Sequence, residues 1–495
     1  LHVRAEQVVV QAEYLSRFYA VVATNPPYMG SGNMGQVLSS WVKKHHPQAK
    51  SDLFAAFIER CMKLAEAEHG IVAMITMQAR MVLGSFEKLR RHILRNVPPV
   101  TMLHLGERAF DSIGGEVVST TAFVLEHGRS ADEACEYVRA VPGDSEAEKE
   151  HLLREALTGA SDLRFSARPH TLLALPGARL AYWLSPAMTR AFTMGEPLGE
   201  VAAPKQGLAT ADNSRFLRQW FEVSRSRTCF DADSRETAAT SGAKWFPHLK
   251  GGEFRKWWGN QDYVINWEHD GAELWDFRPR SVIRNPNYYF KPAISWSNVS
   301  SGEPSFRIYE QGSIFGHVGQ AFFPQHDVET LIGFANSSTC RSLLAVLSPT
   351  LHFEAGQLTS LPIIEATPSQ HDGSIARRLM DIFRDDWNAY ETSWDFQTSP
   401  LIQRSRSGGS LHDALECRWQ DSLHAAHEAQ DLEIENNLYW AEVYGLQDEV
   451  PIEVPLSRVS LTSNPYFHYA PSKGTVRADE EYRRLFAGDA VRDLI

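Results

Sequence analysis

The first 130 residues alternate between short apolar runs and longer segments whose apolar residues recur at helical spacing. The runs predict strands at residues 19–24, 71–77, 101–105 and 117–125, with a turn at Gly114-Gly115 before the last of them. Helices are predicted after Ser51, a candidate N-cap, and over residues 85–94. This alternation indicates an α/β layer with a mainly parallel sheet, whose first strand we expect to be buried on both faces.

The pattern changes twice along the rest of the chain. It fades after Gly128, and residues 195–364 are rich in Trp, Phe, Tyr, Gly and Pro, with short strand-like pieces such as 293–296. From Ser374 onward helical composition returns, and eleven acidic residues between Asp413 and Glu453 face one base, Arg418. We therefore predict an α/β domain, a connecting segment, an irregular β-rich domain and a helical region, at residues 1–130, 131–194, 195–365 and 366–495.

Composition limits the class of protein. With 43% hydrophobic and 22% charged residues the chain is typical of a globular protein, and without an apolar run of about 18 residues we expect no membrane span. Five scattered cysteines indicate reduced thiols and a cytoplasmic location. The 19 histidines show no metal-binding spacing, so we expect no bound metal.

Charge is segregated along the chain. A net charge of −12 argues against a protein that coats nucleic acid by bulk attraction. Residues 204–260, however, carry ten Lys and Arg against six acids, which leaves room for a local basic groove. On the predicted helix at 85–94, we expect Arg90, Arg91 and Arg95 to form a solvated face rather than a phosphate site.

One motif carries chemistry: Asn25-Pro26-Pro27-Tyr28, directly after the first predicted strand. An aromatic amine is a poor nucleophile because its lone pair is conjugated with the ring. Two rigid hydrogen-bond acceptors can push its nitrogen toward a tetrahedral geometry, and they would be the Asn25 side-chain carbonyl and the Pro26 backbone carbonyl. Pro26 and Pro27 fix φ on both sides of that carbonyl. The Tyr28 ring offers a face for stacking a flipped-out base.

The motif and its surroundings resemble a known family. Residues 22–30 look like the catalytic motif of amino-methyltransferases, and the chain is similar to the PglX methyltransferases of BREX phage-defence systems at residues 50–60, 74–78, 103–106, 114–118, 207–213, 294–297, 391–396 and 444–449. The resemblance covers nearly the whole chain. Type IIG restriction-modification enzymes share much of the pattern. The motif Asn25-Pro26-Pro27-Tyr28 specifies the reaction class, and the similar segments that follow it specify the family.

The resemblance implies a function and a set of partners. It implies transfer of methyl from S-adenosylmethionine to the exocyclic nitrogen of adenine in double-stranded DNA, by a partial Rossmann-like sheet followed by a target-recognition domain. Other phage-defence proteins are possible partners. Asp52 lies where the family's next motif lines the donor pocket, although it is equally suited to capping a helix. Lys205, Asn213, Arg215 and Arg218 lie near the start of the recognition domain and are candidate DNA contacts.

The chain departs from the family at its ends. Only 24 residues precede Asn25, and none of them form the glycine-rich turn that holds the donor in the family. We therefore expect a fragment that lacks the donor-binding part and the C-terminus. Two alternatives stay open: a DNA-recognition module without turnover, and the methyltransferase part of a type IIG restriction-modification enzyme.

Overall fold

The structure is a computed structural model, which describes residues 2–111, 118–159, 161–298, 303–325, 327–348, 353–364, 373–406 and 410–468. The chain divides into two compact units, Leu1–Thr193 and Met194–Ile495. Residues 131–194, predicted as a connecting segment, thus lie almost entirely in the first unit. The predicted β-rich and helical regions share the second unit. The predicted turn at Gly114-Gly115 lies outside the described residues.

The first unit alternates strands and helices, as the sequence indicates. Its helices are α1 (His2–Ser16), α2 (Gln36–His45), α3 (Leu53–Leu64), α4 (Glu87–Asn96), α5 (Glu146–Thr158), α6 (Pro169–Ala174) and α7 (Pro186–Met194). Its strands are β1 (Val21–Thr24), β2 (Ile71–Met77), β3 (Pro99–Gly106), β4 (Thr120–Glu126), β5 (Cys135–Arg139) and β6 (Arg164–Ala167). Single 3₁₀ turns lie at Ser31–Asn33, Gln78–Met81, Gly84–Phe86 and Pro176–Ala178.

The described strands of this unit form one mixed sheet in the order β1-β2-β4-β3-β5-β6. The pairs β1–β2 and β3–β5 are parallel, whereas β4 runs antiparallel to both β2 and β3. The expectation of a mainly parallel sheet is therefore wrong. Strands β3 and β4 follow each other closely in the chain, and consecutive strands pair antiparallel unless a long crossover, usually a helix, returns the chain to the other end.

Strand β1 is less buried than its apolar sequence predicts. Val21 is 58% exposed, and burial along β1 alternates between exposed and half-buried positions. Among the described strands, β1 has only β2 beside it, so it is an edge strand with a partly open face. The prediction of a strand buried on both faces is wrong, because an apolar run shows which residues can be buried but not which neighbours cover them.

Helix α3 packs an apolar stripe against the sheet, with Phe54, Ile58 and Met62 buried. Its N-cap is Asp52, whose side chain accepts a hydrogen bond from Phe54 N. The prediction of Ser51 as the cap is therefore wrong by one residue. Both residue types are good N-caps, so local sequence alone does not choose between neighbours.

Arg90 on α4 is buried, although the helical pattern places it among solvated basic residues. Its side chain is 2% exposed in the structure. The guanidinium donates to the carbonyl oxygens of Arg80 (2.8 Å), Leu83 (2.7 Å) and Gly177 (2.8 Å). The solvated-face expectation is wrong for this residue because a segment far away in sequence supplies carbonyl acceptors that compensate its desolvation.

The second unit mixes short strands with helices. Its strands are β7 (Glu196–Pro197), β8 (Leu217–Gln219), β9 (Trp245–Leu249), β10 (Tyr263–Asn266), β11 (Ala293–Ser297), β12 (Phe306–Tyr309), β13 (Ile314–Phe315), β14 (Gly319–Phe322) and β15 (Pro362–Ile363). Its helices are α8 (Leu198–Ala202), α9 (Asn213–Phe216), α10 (Arg235–Thr240), α11 (Glu268–Asp276), α12 (Val328–Ala335), α13 (Ser338–Leu347), α14 (Ala355–Leu358), α15 (Ser374–Asn388), α16 (Pro400–Arg406) and α17 (Leu411–Tyr444). Single 3₁₀ turns lie at Trp220–Glu222, Arg225–Arg227, Pro286–Tyr288 and Leu456–Arg458.

Three sheets organise the described strands of this unit, in the orders β13-β9-β10-β8, β12-β11-β14 and β15-β7. An aromatic core that includes Phe246, Trp267 and Phe290 holds the β-rich part together. Trp257 and Trp258 are also buried, at 0% and 5% exposure, so they belong to the core and are not available to stack on bases.

Helix α17 is held to the β-rich part by the buried carboxylate of Glu433, which is 2% exposed. It accepts from Lys256 Nζ at 2.7 Å and from Trp257 Nε1 at 2.8 Å. Nearby, Arg255 Nη1 donates to the Ser460 carbonyl at 3.1 Å, and Asp386 accepts from the backbone N–H of Ser463 at 2.9 Å. These polar contacts join segments that are far apart in the sequence.

Two further properties bear on the sequence predictions. No helix among the described residues is long and apolar enough to span a membrane. The five cysteines are all unpaired by disulfides, and within the described ranges no cluster of three or more His, Cys, Asp or Glu has the geometry to hold a metal ion.

Replacing Glu433 by alanine should destabilise the second unit strongly. The change leaves Lys256 as a buried cation without its partner, which typically costs about 3–5 kcal/mol. The matched control is Glu435→Ala, since Glu435 is exposed on the same helix, and it should change stability by less than about 0.5 kcal/mol. Denaturant unfolding of both variants checks this; equal midpoints would contradict the assignment.

Candidate active site and nucleic-acid interface

The motif Asn25-Pro26-Pro27-Tyr28 leaves the sheet directly after β1, at the carboxyl end of a strand that pairs in parallel with β2. Asn25 is exposed, Pro26 is buried and Tyr28 is half-buried. No described residue donates a hydrogen bond to the Pro26 carbonyl. The exposed Asn25 side chain therefore lies on a loop that the two prolines stiffen.

Asp52 fixes this loop to helix α3. Its Oδ1 accepts from Met29 N at 3.1 Å and from Phe54 N at 3.2 Å, and the side chain is only 9% exposed. A backbone bond from Leu53 N to the Met29 carbonyl, 3.0 Å long, lies beside it. One carboxylate oxygen therefore holds both the end of the motif and the first turn of α3.

Tyr28 completes the motif. Its hydroxyl donates a long hydrogen bond, 3.4 Å, to Asn25 Oδ1, and its ring lies edge-on to Phe54 with the centroids 6.2 Å apart. Burial raises the pKa of Tyr28, so the phenol is neutral at physiological pH. The contact orients the Asn25 carbonyl, and because it is long it can be exchanged for a better donor on a substrate.

A cavity of about 340 Å³ opens on the face of the sheet next to Asn25. It is lined by small and aliphatic side chains, including Ala23, Ala73, Ile75, Leu103 and Ala122. Such a surface suits apolar contacts but offers no partner for the charges of S-adenosylmethionine. The described residues around Asn25 therefore form a wall and not a complete donor site. Asp52, with Oδ1 engaged by two backbone donors, acts structurally here, and its role in donor binding stays a prediction.

The four candidate DNA residues lie in the second unit and have different surroundings. Lys205 Nζ lies 5.5 Å from the centre of the Tyr288 ring, and Asn213 Oδ1 accepts from Thr210 Oγ1 at 2.5 Å. Arg215 is 46% exposed with its guanidinium 3.8 Å from Glu273, whereas Arg218 donates to the carbonyls of its own chain segment. Of the three cations, Arg215 is exposed, and Lys205 and Arg218 are half-buried.

Many cations of residues 204–260 are neutralised in the fold. Arg227 and Lys244 pair with Glu268, Arg235 pairs with Asp270, and Lys256 pairs with Glu433. The basic groove inferred from this window is therefore less positive than its composition indicates.

A second basic segment, which the sequence analysis missed, lies against the first. Ala209 and Val282 exchange backbone hydrogen bonds of 2.9 and 2.8 Å, and Asn285 Nδ2 donates to the Gln206 carbonyl at 2.9 Å. These bonds join residues 205–215 to residues 278–291, and we call the pair the basic ribbon. It carries the exposed side chains of Arg278, Arg280, Arg284 and Lys291, and none of them forms an ion pair with a described acid.

Aromatic rings are interleaved with these charges. The guanidinium groups of Arg280 and Arg215 lie 4.9 and 5.1 Å from the Phe277 ring centre, and Lys291 Nζ lies 5.4 Å from that of Tyr288. Residues 277–292 contain four cations and no acid, so a charge count over that window would have found the segment. Cations stacked on rings match the chemistry of phosphate and base contacts.

Known proteins that are similar to this chain agree with the class that the motif predicts, a methyltransferase. Residues 6–110 match the family model described as Eco57I restriction-modification methylase. The chain is also similar to the adenine-specific methyltransferase PglX of Lacticaseibacillus casei (strain Zhang), with 35% identity over 89% of this chain, and to the adenine-specific methyltransferase BrxX of Escherichia coli O9:H4 (strain HS), with 33% identity over 98%. The resemblance drawn from the sequence is thereby confirmed over the region that the chain spans.

That region is a part of each relative. The chain spans 37% of the length of the first and 38% of the length of the second. Among solved structures, the type IIL restriction-modification enzyme MmeI in complex with DNA has a similar fold, with a TM-score of 0.51 at 11% identity, covering 90% of this chain and 57% of that one. A likeness at this identity supports the fold and not a function.

Asp52→Ala should loosen the loop that carries Asn25 without unfolding the first unit. Two backbone N–H groups lose their acceptor, and removing an N-cap or one buried partner typically costs about 1–2 kcal/mol. We expect faster hydrogen exchange at Met29 and Phe54 and a lower melting temperature. Ser51→Ala is the matched control and should alter neither. Equal exchange rates in both variants would show that Asp52 does not hold the loop.

Proposed function

We propose that this chain carries the catalytic motif and the target-recognition region of an adenine-specific DNA methyltransferase. The methyl group would come from S-adenosylmethionine and pass to the exocyclic nitrogen of a flipped-out adenine. The observation that carries the proposal is the exposed Asn25 side chain on a loop stiffened by two prolines and anchored by Asp52. The similarity to PglX and BrxX supports the same reaction, and through that family a role in phage defence alongside other defence proteins.

The chemistry of the proposed step depends on the two carbonyl acceptors. Asn25 Oδ1 and the Pro26 carbonyl would each accept one N–H of the adenine amine, which turns the nitrogen lone pair out of conjugation with the ring. The adenine amine would replace the Tyr28 hydroxyl as the donor to Asn25 Oδ1. The Tyr28 ring would then stack on the base. Rigid placement matters because acceptors that need no rearrangement lower the barrier most.

The sheet supports the same proposal. Its order β1-β2-β4-β3, with β4 antiparallel between two strands, is consistent with the carboxyl-terminal part of a Rossmann-like methyltransferase sheet. The second unit would position the duplex through the basic ribbon.

A second candidate function is the methyltransferase part of a restriction-modification enzyme. The match to the Eco57I restriction-modification methylase model favours it. The two candidates differ in one measurable property: incubation of unmethylated DNA with the product of the full reading frame and Mg²⁺ gives cleavage only in the restriction-modification case.

Asn25→Ala should abolish methylation while leaving DNA binding intact. Losing one preorganised polar contact to a reacting group typically lowers the rate by about 100-fold or more. The assay is incorporation of labelled methyl into adenine by the protein expressed from its full reading frame. Asn96→Ala, an exposed asparagine at the end of α4, serves as the control and should retain normal activity. Near-normal methylation by Asn25→Ala would show that the catalytic assignment is wrong.

Replacing Arg280 and Lys291 together by alanine should weaken duplex binding and flatten its salt dependence. Each lost phosphate contact lowers the slope of log affinity against log salt by about 0.9. The charge-matched control is Arg154→Ala with Arg164→Ala, since both arginines are exposed and lie outside the ribbon. An unchanged slope in the Arg280 and Lys291 variant would place the DNA elsewhere. Arg215 and Arg218 can be tested in the same way.

A further inference from the structure

A long loop, which we call the excursion, lies between the motif that carries Asn25 and helix α3. It comprises residues 30–51, includes α2, and leaves and rejoins the fold at Met29 and Asp52. Its base is closed by backbone bonds from Ser31 N to the Ser51 carbonyl, 2.9 Å, and from Leu53 N to the Met29 carbonyl, 3.0 Å. The base of the excursion is therefore joined by backbone hydrogen bonds to the end of the loop that carries Asn25.

The excursion is fastened by buried anchors on its inner side. Val42 and Ala49 are fully buried, and Met34 is 8% exposed. His46, 5% exposed, pairs through Nδ1 with Glu59 Oε2 on α3 at 2.8 Å. An element held in this way presents a defined outer surface instead of sampling many conformations.

The outer side of α2 combines apolar and cationic groups. Val37 is 87% exposed and Trp41 is 51% exposed, and their spacing of four places them on one face of the helix. Lys43 and Lys44 follow in the last turn, and the ring of His45 lies 4.9 Å from that of Trp41. A large indole left half in water on a well-anchored helix is an unusual feature of a free surface.

Charge narrows the choice of partner. Residues 29–51 contain no Asp or Glu in a chain whose net charge is −12, and Lys43, Lys44 and Lys50 are all exposed. A segment with three exposed cations and no acid of its own fits a polyanion better than an average protein segment does. The excursion is also continuous with the loop that would receive the adenine.

We propose that the outer face of α2 binds the DNA duplex beside the target adenine. Lys44, which is seven residues after Val37 on the same face, and Lys43 on the flank of the helix neutralise backbone phosphates. Trp41 makes the apolar contact against the base step that the flipped adenine leaves. This inference rests on the proposed function, because it takes the ligand of the neighbouring loop to be DNA. It adds a DNA contact in the first unit to the basic ribbon of the second.

The test uses the protein expressed from its full reading frame and a labelled duplex that it methylates. Lys43→Gln with Lys44→Gln should lower the slope of log affinity against log salt by up to about 1.8, from two phosphate contacts. Lys63→Gln with Lys88→Gln, two exposed lysines of the same unit, is the charge-matched control and should leave the slope unchanged. Trp41→Ala should weaken binding roughly tenfold and Trp41→Phe clearly less, because the phenyl ring retains part of the stacking surface.

The possible outcomes separate the two proposals. An unchanged slope in the Lys43 and Lys44 variant, in a protein whose methylation still depends on Asn25, overturns the role of α2 and leaves the proposed function standing. Failure of the unaltered protein to bind any duplex overturns both. If Trp41→Ala instead changes the mass measured by sedimentation while its DNA affinity stays normal, the face is covered by protein and the inference is wrong.

Discussion

The geometry of the candidate site depends on one oxygen atom, Asp52 Oδ1. It accepts hydrogen bonds from the backbone N–H groups of Met29 and Phe54, so the end of the loop that carries Asn25 and the start of α3 share a single acceptor. Helix α3 in turn packs its apolar side into the first unit. The position of Asn25 thus depends, through Asp52, on a buried helix. This arrangement gives the solvent-exposed Asn25 side chain the rigidity that a reacting group needs.

The sequence predicted those parts of the site that depend on neighbouring residues. The motif Asn25-Pro26-Pro27-Tyr28, its place after a strand, and the helix that follows can all be inferred from local patterns. Choosing between Ser51 and Asp52 as the cap was beyond such patterns, since the choice depends on where Met29 N lies. Arg90 shows the same limit more strongly, because its acceptor at Gly177 is 87 residues away and no local pattern reveals it.

Charge counts along the sequence have a related limit. A count of charges treats every Lys and Arg as available, whereas folding pairs Arg227, Arg235 and Lys256 with acids from other segments. Four exposed cations outside the 204–260 window, Arg278, Arg280, Arg284 and Lys291, lie on residues 278–291, which run beside residues 205–215. Tertiary structure brings these two segments together, and only residues 205–215 lie in the 204–260 window. The composition of that window therefore could not reveal the second segment.

The contacts of Glu433 have a consequence for protein engineering. Residues 255–257 of the β-rich part are joined to Glu433 and Ser460 by buried polar bonds, and Asp386 caps the same C-terminal segment. A chimera that exchanges only residues 195–365 would place a foreign surface against Glu433, Ser460 and Asp386. These buried polar groups would then lose their hydrogen-bond partners. A chimera that exchanges the β-rich part should therefore take that part and the helices through residue 464 as one cassette.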